Sequence, residues 1–306
     1  MSELKTIRFM RSRKPLAIVS MLLVIIGLVS LIVRGLNLSQ DFTGGTTAEI
    51  NYEKSVDQED VRKALEAAGL HDPIVQHLGK STDVLVRMAP QKGHEANISA
   101  DITKAVNFDP ANPAKIKQID SVGSQVGNEL YAQSLMAIAL SMALMMAYVA
   151  IRYRFKFSVG AIIGLVHDTF FTLGLFSIMG WPFDLTVLAA VLTIIGYSLN
   201  DKVVVFDRIR ENFRKLRKAD PVEITDISLT ETLRRTIMTG ATVLLVVLAL
   251  FFLGGPALKW FSVAMIIGVF VVVYSSIYIS TAYALAMGLS KDDFIIQAKA
   301  EVDDRP

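Results

Sequence analysis

The chain has 306 residues, 52% of them apolar and 20% charged, and its 31 Lys and Arg against 29 Asp and Glu leave a net charge of +2. A soluble domain carries about 45–50% apolar and about 25% charged residues; here the apolar residues are bunched into long runs, which excludes an ordinary soluble globule. So small a net charge, with the basic residues beside those runs, argues against nucleic acid as a partner, and the lack of cysteine excludes disulfides, Cys-ligated metal and a thiol nucleophile.

A lipid-spanning helix needs about 20 mainly apolar residues. The first such stretch, Leu16–Val33, follows a tail (residues 1–15) carrying Arg8, Arg11, Arg13 and Lys14. It runs into Val33-Arg34-Gly35-Leu36 with no A-x-A-like site, so it reads as a retained anchor and not as a cleaved signal. Asp41-Phe42-Thr43-Gly44-Gly45 comes next. Paired glycines permit a turn with positive φ, which suits a hinge or rigid joint between a membrane helix and a sheet.

Residues 35–131 then alternate strand and helix signals. Thr46–Glu53 reads as a strand and Asp57–Leu70 as an amphipathic helix with Val61, Leu65 and Ala68 on one stripe. Ile74–Leu78 and Asp83–Met88 form a strand pair, Ile98–Val106 a second helix and Lys115–Val122 a last strand. This order, β-α-β-β-α-β, is the ferredoxin-like split motif. His71, His77 and His94 lack metal-ligand spacing and read as surface residues. Ser121-Val122-Gly123-Ser124-Gln125-Val126-Gly127 supplies the matching joint before the second span. Neither glycine motif has a P-loop lysine or a G-x-G-x-x-G pattern, so a joint is preferred to a phosphate site.

Five further spans follow: Ala132–Ile151, Phe157–Gly180, Phe183–Phe206, Thr236–Gly255 and Leu258–Leu285. Arg152, Arg154, Lys156 and the basic segment 207–235 belong on the side of the N-terminal tail. Gly180-Trp181-Pro182 and Gly254-Gly255-Pro256, without Lys or Arg, belong opposite. Both termini are thus expected in the cytoplasm and residues 35–131 outside. Segment 207–235, with Ile209, Phe213 and Leu216 at helical spacing, is expected to lie along the inner membrane surface, and residues 286–306 to form a polar tail. The expected fold class is an α-helical polytopic membrane protein with one small α+β ferredoxin-like extracytoplasmic domain.

Polar residues interrupt the spans. His167-Asp168 lies about 15 Å along the third and Asn200-Asp201-Lys202 about 8 Å from the inner end of the fourth. Arg235 opens the fifth on the same side. An Asp at a helix centre disfavours insertion by about 2.5–3.5 kcal/mol, which makes function the default reading. If the fourth and fifth spans are neighbours, Arg235 reaches Asp201. Alternation between a paired and a buried environment would load and release a proton; a static ion pair is the other reading. Asp168 is either a second relay or a helix–helix hydrogen bond. The candidate pathway is Asp201, Arg235, Asn200 and Asp168. Asn200 and Ser198 also hold helices together. Lys202, about 100° round the helix from Asp201, is expected to snorkel to the interface, and His167 and Asp168 to face apart. No metal or cofactor is expected.

Gly196-Tyr197-Ser198-Leu199-Asn200-Asp201 runs into Val205-Phe206-Asp207-Arg208-Ile209-Arg210-Glu211-Asn212. With Asp41–Gly45, six spans and one outer domain, this resembles the SecF branch of the SecD/SecF family of protein-export membrane proteins over nearly the whole chain. One departure is Ser124, where the family motif V-G-P-x-V-G has proline. The resemblance implies half of a resistance-nodulation-division transporter, paired with SecD in a twelve-span unit in the bacterial inner membrane. It also implies association with the SecYEG channel and YajC, and use of the proton-motive force in late preprotein translocation. Asp201 and Arg235 fall on the family's intramembrane Asp and Arg. Protonation of Asp201 would weaken its attraction to Arg235 and move the outer domain through Asp41–Gly45 and Gly123–Gly127. An intramembrane protease fits poorly: Asn200 stands where G-x-S-x-G needs its last glycine, and G-x-G-D is missing. A small-molecule exporter of the superfamily would carry all twelve spans in one chain. A non-catalytic scaffold requires Asp201 and Arg235 to be dispensable.

Overall fold

Helices alternate with a short run of strands in chain order. α1 (Arg13–Val33) leads into β1 (Asn37–Leu38), α2 (Gln40–Thr43), β2 (Gly45–Tyr52), α3 (Gln58–Ala67), β3 (Ile74–Leu78) and β4 (Lys80–Met88). Then come α4 (Ile98–Val106), β5 (Ala114–Val122), α5 (Ser124–Arg152), α6 (Phe155–Met179), β6 (Pro182–Phe183), α7 (Leu185–Lys215) and α8 (Pro221–Leu253). α9 (Gly255–Ser275) passes through a π-helical turn, Ser276–Ser280, into α10 (Thr281–Ala286). The computed structural model describes residues 6–91, 97–216, 218–290 and Asp293. The readings of His94 and of most of the C-terminal tail lie outside them. Among the described residues, six helical stretches are long and apolar enough to cross a membrane. The chain divides into a helical unit (residues 1–35, 138–180 and 189–306) and a second unit (residues 36–137 and 181–188).

In the second unit, β2 alternates strictly. Ala48, Ile50 and Tyr52 are buried, while Thr47, Glu49 and Asn51 face the other side of the pleat. Four antiparallel strands in the order β3-β4-β2-β5 make the sheet, and this is the split β-α-β arrangement expected from spacing. The buried strand residues, with Val84 and Val86, pack on Val61 and Leu65 of α3 and Ile102 and Val106 of α4. Asp57 caps α3 by accepting from the Glu59 amide at 2.9 Å. The Tyr52 hydroxyl donates to the Val106 carbonyl at 3.0 Å, and burial pushes its pKa up to about 12. A pairing without a periodicity signal joins β1 and β6 in parallel, Asn37 beside Pro182 and Leu38 beside Phe183.

In the helical unit α6, α7 and α9 are the inner helices, whereas α1, α5 and α8 leave most of their apolar surface uncovered. Segment 207–235 departs from expectation. Its described residues form no separate surface helix: α7 continues to Lys215, and α8 begins at Pro221 behind its cap Asp220. Extending an existing helix adds one hydrogen bond per residue, whereas a new helix must be nucleated again. Ile209 and Phe213 accordingly turn inward onto Tyr153, Phe157, Phe206, Ile224 and Leu229, and not toward lipid.

Candidate functional site

Gly44 ends α2 with φ +73°, and Gly127 lies in the first turn of α5. A Cβ on Gly44 would sit 2.7 Å from the Ser124 Cα, and one on Gly127 would sit 2.7 Å from the Gly44 amide nitrogen. The two glycine motifs therefore meet backbone to backbone, with Gly45 and Gly123 beside the contact at the paired ends of β2 and β5. Only residues without side chains permit that approach. Phe42 of the first motif stacks on Phe183, ring centroids 5.7 Å apart. Asp41 Oδ2 accepts from the Leu185 amide at 3.0 Å, while Asp184 Oδ1 accepts from the Val187 amide at 2.8 Å. Two carboxylates thus sit at the positive N-terminal end of α7. Acidity and position of Asp41 were visible in the sequence; its partner, 144 residues away, was not.

α7 carries two adjacent polar stripes in the bundle, each made of residues four apart. Tyr197 and Asp201 form the first. Asp201 is 5% exposed, and its Oδ1 accepts from the Thr236 hydroxyl of α8 at 2.9 Å. Its Oδ2, equally buried, has no hydrogen-bond partner among the described residues. The Tyr197 hydroxyl lies 3.5 Å from where a Cβ on Gly240 of α8 would stand. Asp201 therefore meets α8 through Thr236, one residue beyond the expected Arg235. Arg235 is exposed, and no ion pair joins it to Asp201 among the described residues. With Asn200, Thr232 and Glu231 it lines a cavity of about 500 Å³ between α7 and α8. Arg208 bridges Glu211 (2.6 Å) and Glu231 (2.7 Å) there.

Ser198 and Lys202 form the second stripe, and here two expectations are corrected. Lys202 does not snorkel. It is completely buried, and its ammonium donates to Asp168 Oδ2 (2.7 Å), Ser198 Oγ (2.7 Å) and Ser275 Oγ (3.0 Å). The hydroxyls of Ser198 and Ser275 in turn donate to the same Asp168 oxygen at 2.7 and 2.8 Å. His167 and Asp168 do meet: Nδ1 of the ring donates to Asp168 Oδ1 at 3.0 Å, and Nε2 shares a hydrogen bond with the Ser20 hydroxyl at 2.6 Å. Neighbouring Cα positions point apart, but the freedom of two side-chain torsions brings the ring back to the carboxyl. Lys202 stays inside because an opposite charge and two hydroxyls satisfy all three of its donors, which removes the reason to reach for water. The signal was present: an intramembrane cation, Asp and His call for partners on other helices.

Residues 102–290 match the family model described as protein export membrane protein SecD/SecF, C-terminal, and residues 29–56 match the SecD/SecF GG motif, which contains Asp41–Gly45. A Pseudomonas aeruginosa protein translocase subunit SecF is 44% identical over 306 residues, covering 99% of both chains. The SecF subunit of Escherichia coli O157:H7 is 42% identical, covering 92% of this chain and 88% of that one. Among solved structures, the crystal structure of SecDF, a translocon-associated membrane protein from Thermus thermophilus, superposes with a TM-score of 0.82 at 34% identity. It covers 94% of this chain, which spans 39% of the length of that one.

Proposed function

Because this chain belongs to the SecD/SecF family of protein-export membrane proteins, we propose that it pairs with SecD and uses the proton-motive force to assist late translocation and release of preproteins. Asp201 is the carboxyl that binds and releases the proton. The single observation behind this assignment is its oxygen Oδ2, buried between membrane helices with no hydrogen-bond partner among the described residues. A buried carboxylate oxygen left unpaired is costly in a medium of low dielectric, and a proton removes the charge. Asp201 alternates between the charged form, favoured when a cation approaches, and the neutral form, which the bundle accommodates as it stands. Asn200, next to Asp201 in the chain, and Arg235, next to Thr236, line one cavity, which supports a cation as its neighbour in the cycle.

The driving force is adequate in scale. One charge crossing 100 mV releases about 2.3 kcal/mol, and each pH unit adds about 1.4 kcal/mol, enough to shift a two-state equilibrium by one to three orders of magnitude. Asp168, already provided with four donors, fits the helix–helix role better than that of a second relay. This reading places the chain in the bacterial inner membrane, both termini cytoplasmic and residues 35–131 periplasmic, with SecYEG, YajC and the preprotein as partners.

Preprotein release is measured from membrane vesicles containing the chain with SecD, with and without a proton gradient. Asp201→Asn is expected to abolish the acceleration by the gradient; an unchanged acceleration would rule Asp201 out as carrier.

A further inference from the structure

We propose that Lys202 and Asp168 form a fixed clasp that sets the rotation of α7, and so act as positioning residues for Asp201. The network takes one or more members from each of four helices: Ser20 from α1, His167 and Asp168 from α6, Ser198 and Lys202 from α7, Ser275 from α9. It is closed. Each donor of the ammonium has an acceptor, both carboxylate oxygens are occupied and both ring nitrogens are used. Asp168, Lys202, Ser198 and Ser275 are all fully buried.

Successive helical residues project about 100° apart. With Lys202 held between α6 and α9, Asp201 is left pointing at α8, where Thr236 meets it. The two stripes obey the same rule one turn earlier, where Ser198 faces the clasp and Tyr197 faces Gly240 of α8. The surroundings are built for a lysine. A Cβ on Gly164 of α6 would stand 2.4 Å from Lys202 Cε and 2.1 Å from Ser280 Oγ, so the small residue makes room for the stem. The π-helical turn Ser276–Ser280 starts directly after Ser275, and such turns mark places where a helix departs from regular winding, often for function. Lys202 thus neither carries the proton nor touches Asp201's partner; it acts through the azimuth of the helix that bears both.

The functional half of this inference rests on the reading of Asp201 as carrier, and the test separates the two. The chain has no cysteine, so Tyr197→Cys with Gly240→Cys reports the azimuth of α7 by the yield of a short bifunctional thiol cross-link in the full chain with SecD. The pair should cross-link in the otherwise unaltered protein. The yield should fall several-fold in Asp168→Asn/Lys202→Met, which removes both charges and avoids stranding one, and partially in Ser275→Ala, which removes one anchor and no charge. The same two clasp variants, without the cysteines, should move the pH at which gradient-driven preprotein release is half-maximal, something a mere brace would leave in place. No cross-link in the unaltered background overturns the proposal, as does undiminished yield with an unmoved pH profile in both clasp variants. If instead Asp201→Asn leaves gradient dependence intact, the carrier reading fails while the cross-link result stands on its own.

Discussion

The Thr236 hydroxyl donates to one oxygen of Asp201 at 2.9 Å, and the other oxygen of that carboxyl has no partner among the described residues. One helix thus offers a single neutral donor to a buried acid on another. That is enough to orient the carboxyl, and it leaves the second oxygen free of any hydrogen bond among the described residues.

Thr236→Val keeps shape and removes the donor. The loss of a buried hydrogen bond costs about 1–3 kcal/mol, so thermal stability in detergent should fall on that scale. Gradient-driven preprotein release should fall with it, while Thr236→Ser should retain most of both. Equal stability and release in the valine variant would show that the bond does not hold Asp201.

The contact between the glycine motifs is steric. Gly44→Ala places a Cβ where the Ser124 backbone stands and does so at a positive φ. Such strain costs on the order of 1–3 kcal/mol. Limited proteolysis should cut near residues 40–46 sooner in the variant than in the parent chain. A Ser124→Ala control, which alters no backbone in the contact, should leave the rate unchanged.

Asp83 gives the sheet domain an acid sensitivity with a definite sign. Its Oδ1 accepts from Lys117 Nζ at 2.8 Å and from Asn51 Nδ2 at 2.6 Å. Chiefly the Lys117 hydrogen bond, then that of Asn51, hold its pKa below the usual carboxylate value. A group with a depressed folded-state pKa contributes stability above its unfolded pKa of about 3.9. That contribution disappears as pH falls through the lower folded value. The side chain is partly exposed, so the effect is small, under about 1 kcal/mol. Hydrogen exchange of the β2, β4 and β5 amides should accelerate as pH falls below about 4, beyond the intrinsic pH effect, and Asp83→Asn should abolish that additional acceleration.

Much of this was legible from residue order alone. Strand alternation around Ala48, Ile50 and Tyr52 and the spacing of Val61 and Leu65 mark the sheet domain, because local periodicity and burial coincide there. Asp201 stood out because a carboxyl in an apolar run is costly enough to make function the default reading. Partners were another matter. That Lys202 reaches Asp168, 34 residues away, and that Asp41 reaches Leu185 depend on which helices are neighbours and how each is rotated. Neither is written in a one-dimensional pattern. The expectation that Lys202 snorkels weighed its charge against lipid alone, without the oxygens that Asp168, Ser198 and Ser275 bring to it. The inward turn of Ile209 and Phe213 was hidden for a similar reason, since an amphipathic stripe looks the same whether it meets lipid or protein.

The direct measurement is infrared difference spectroscopy of the full chain with SecD across a pH titration, reading the C=O stretch of protonated carboxyl groups. One such band, appearing as pH is lowered, should be missing in Asp201→Asn and unaffected in Asp41→Asn. If every band survives that Asp201 substitution, this residue takes up no proton and the account is contradicted.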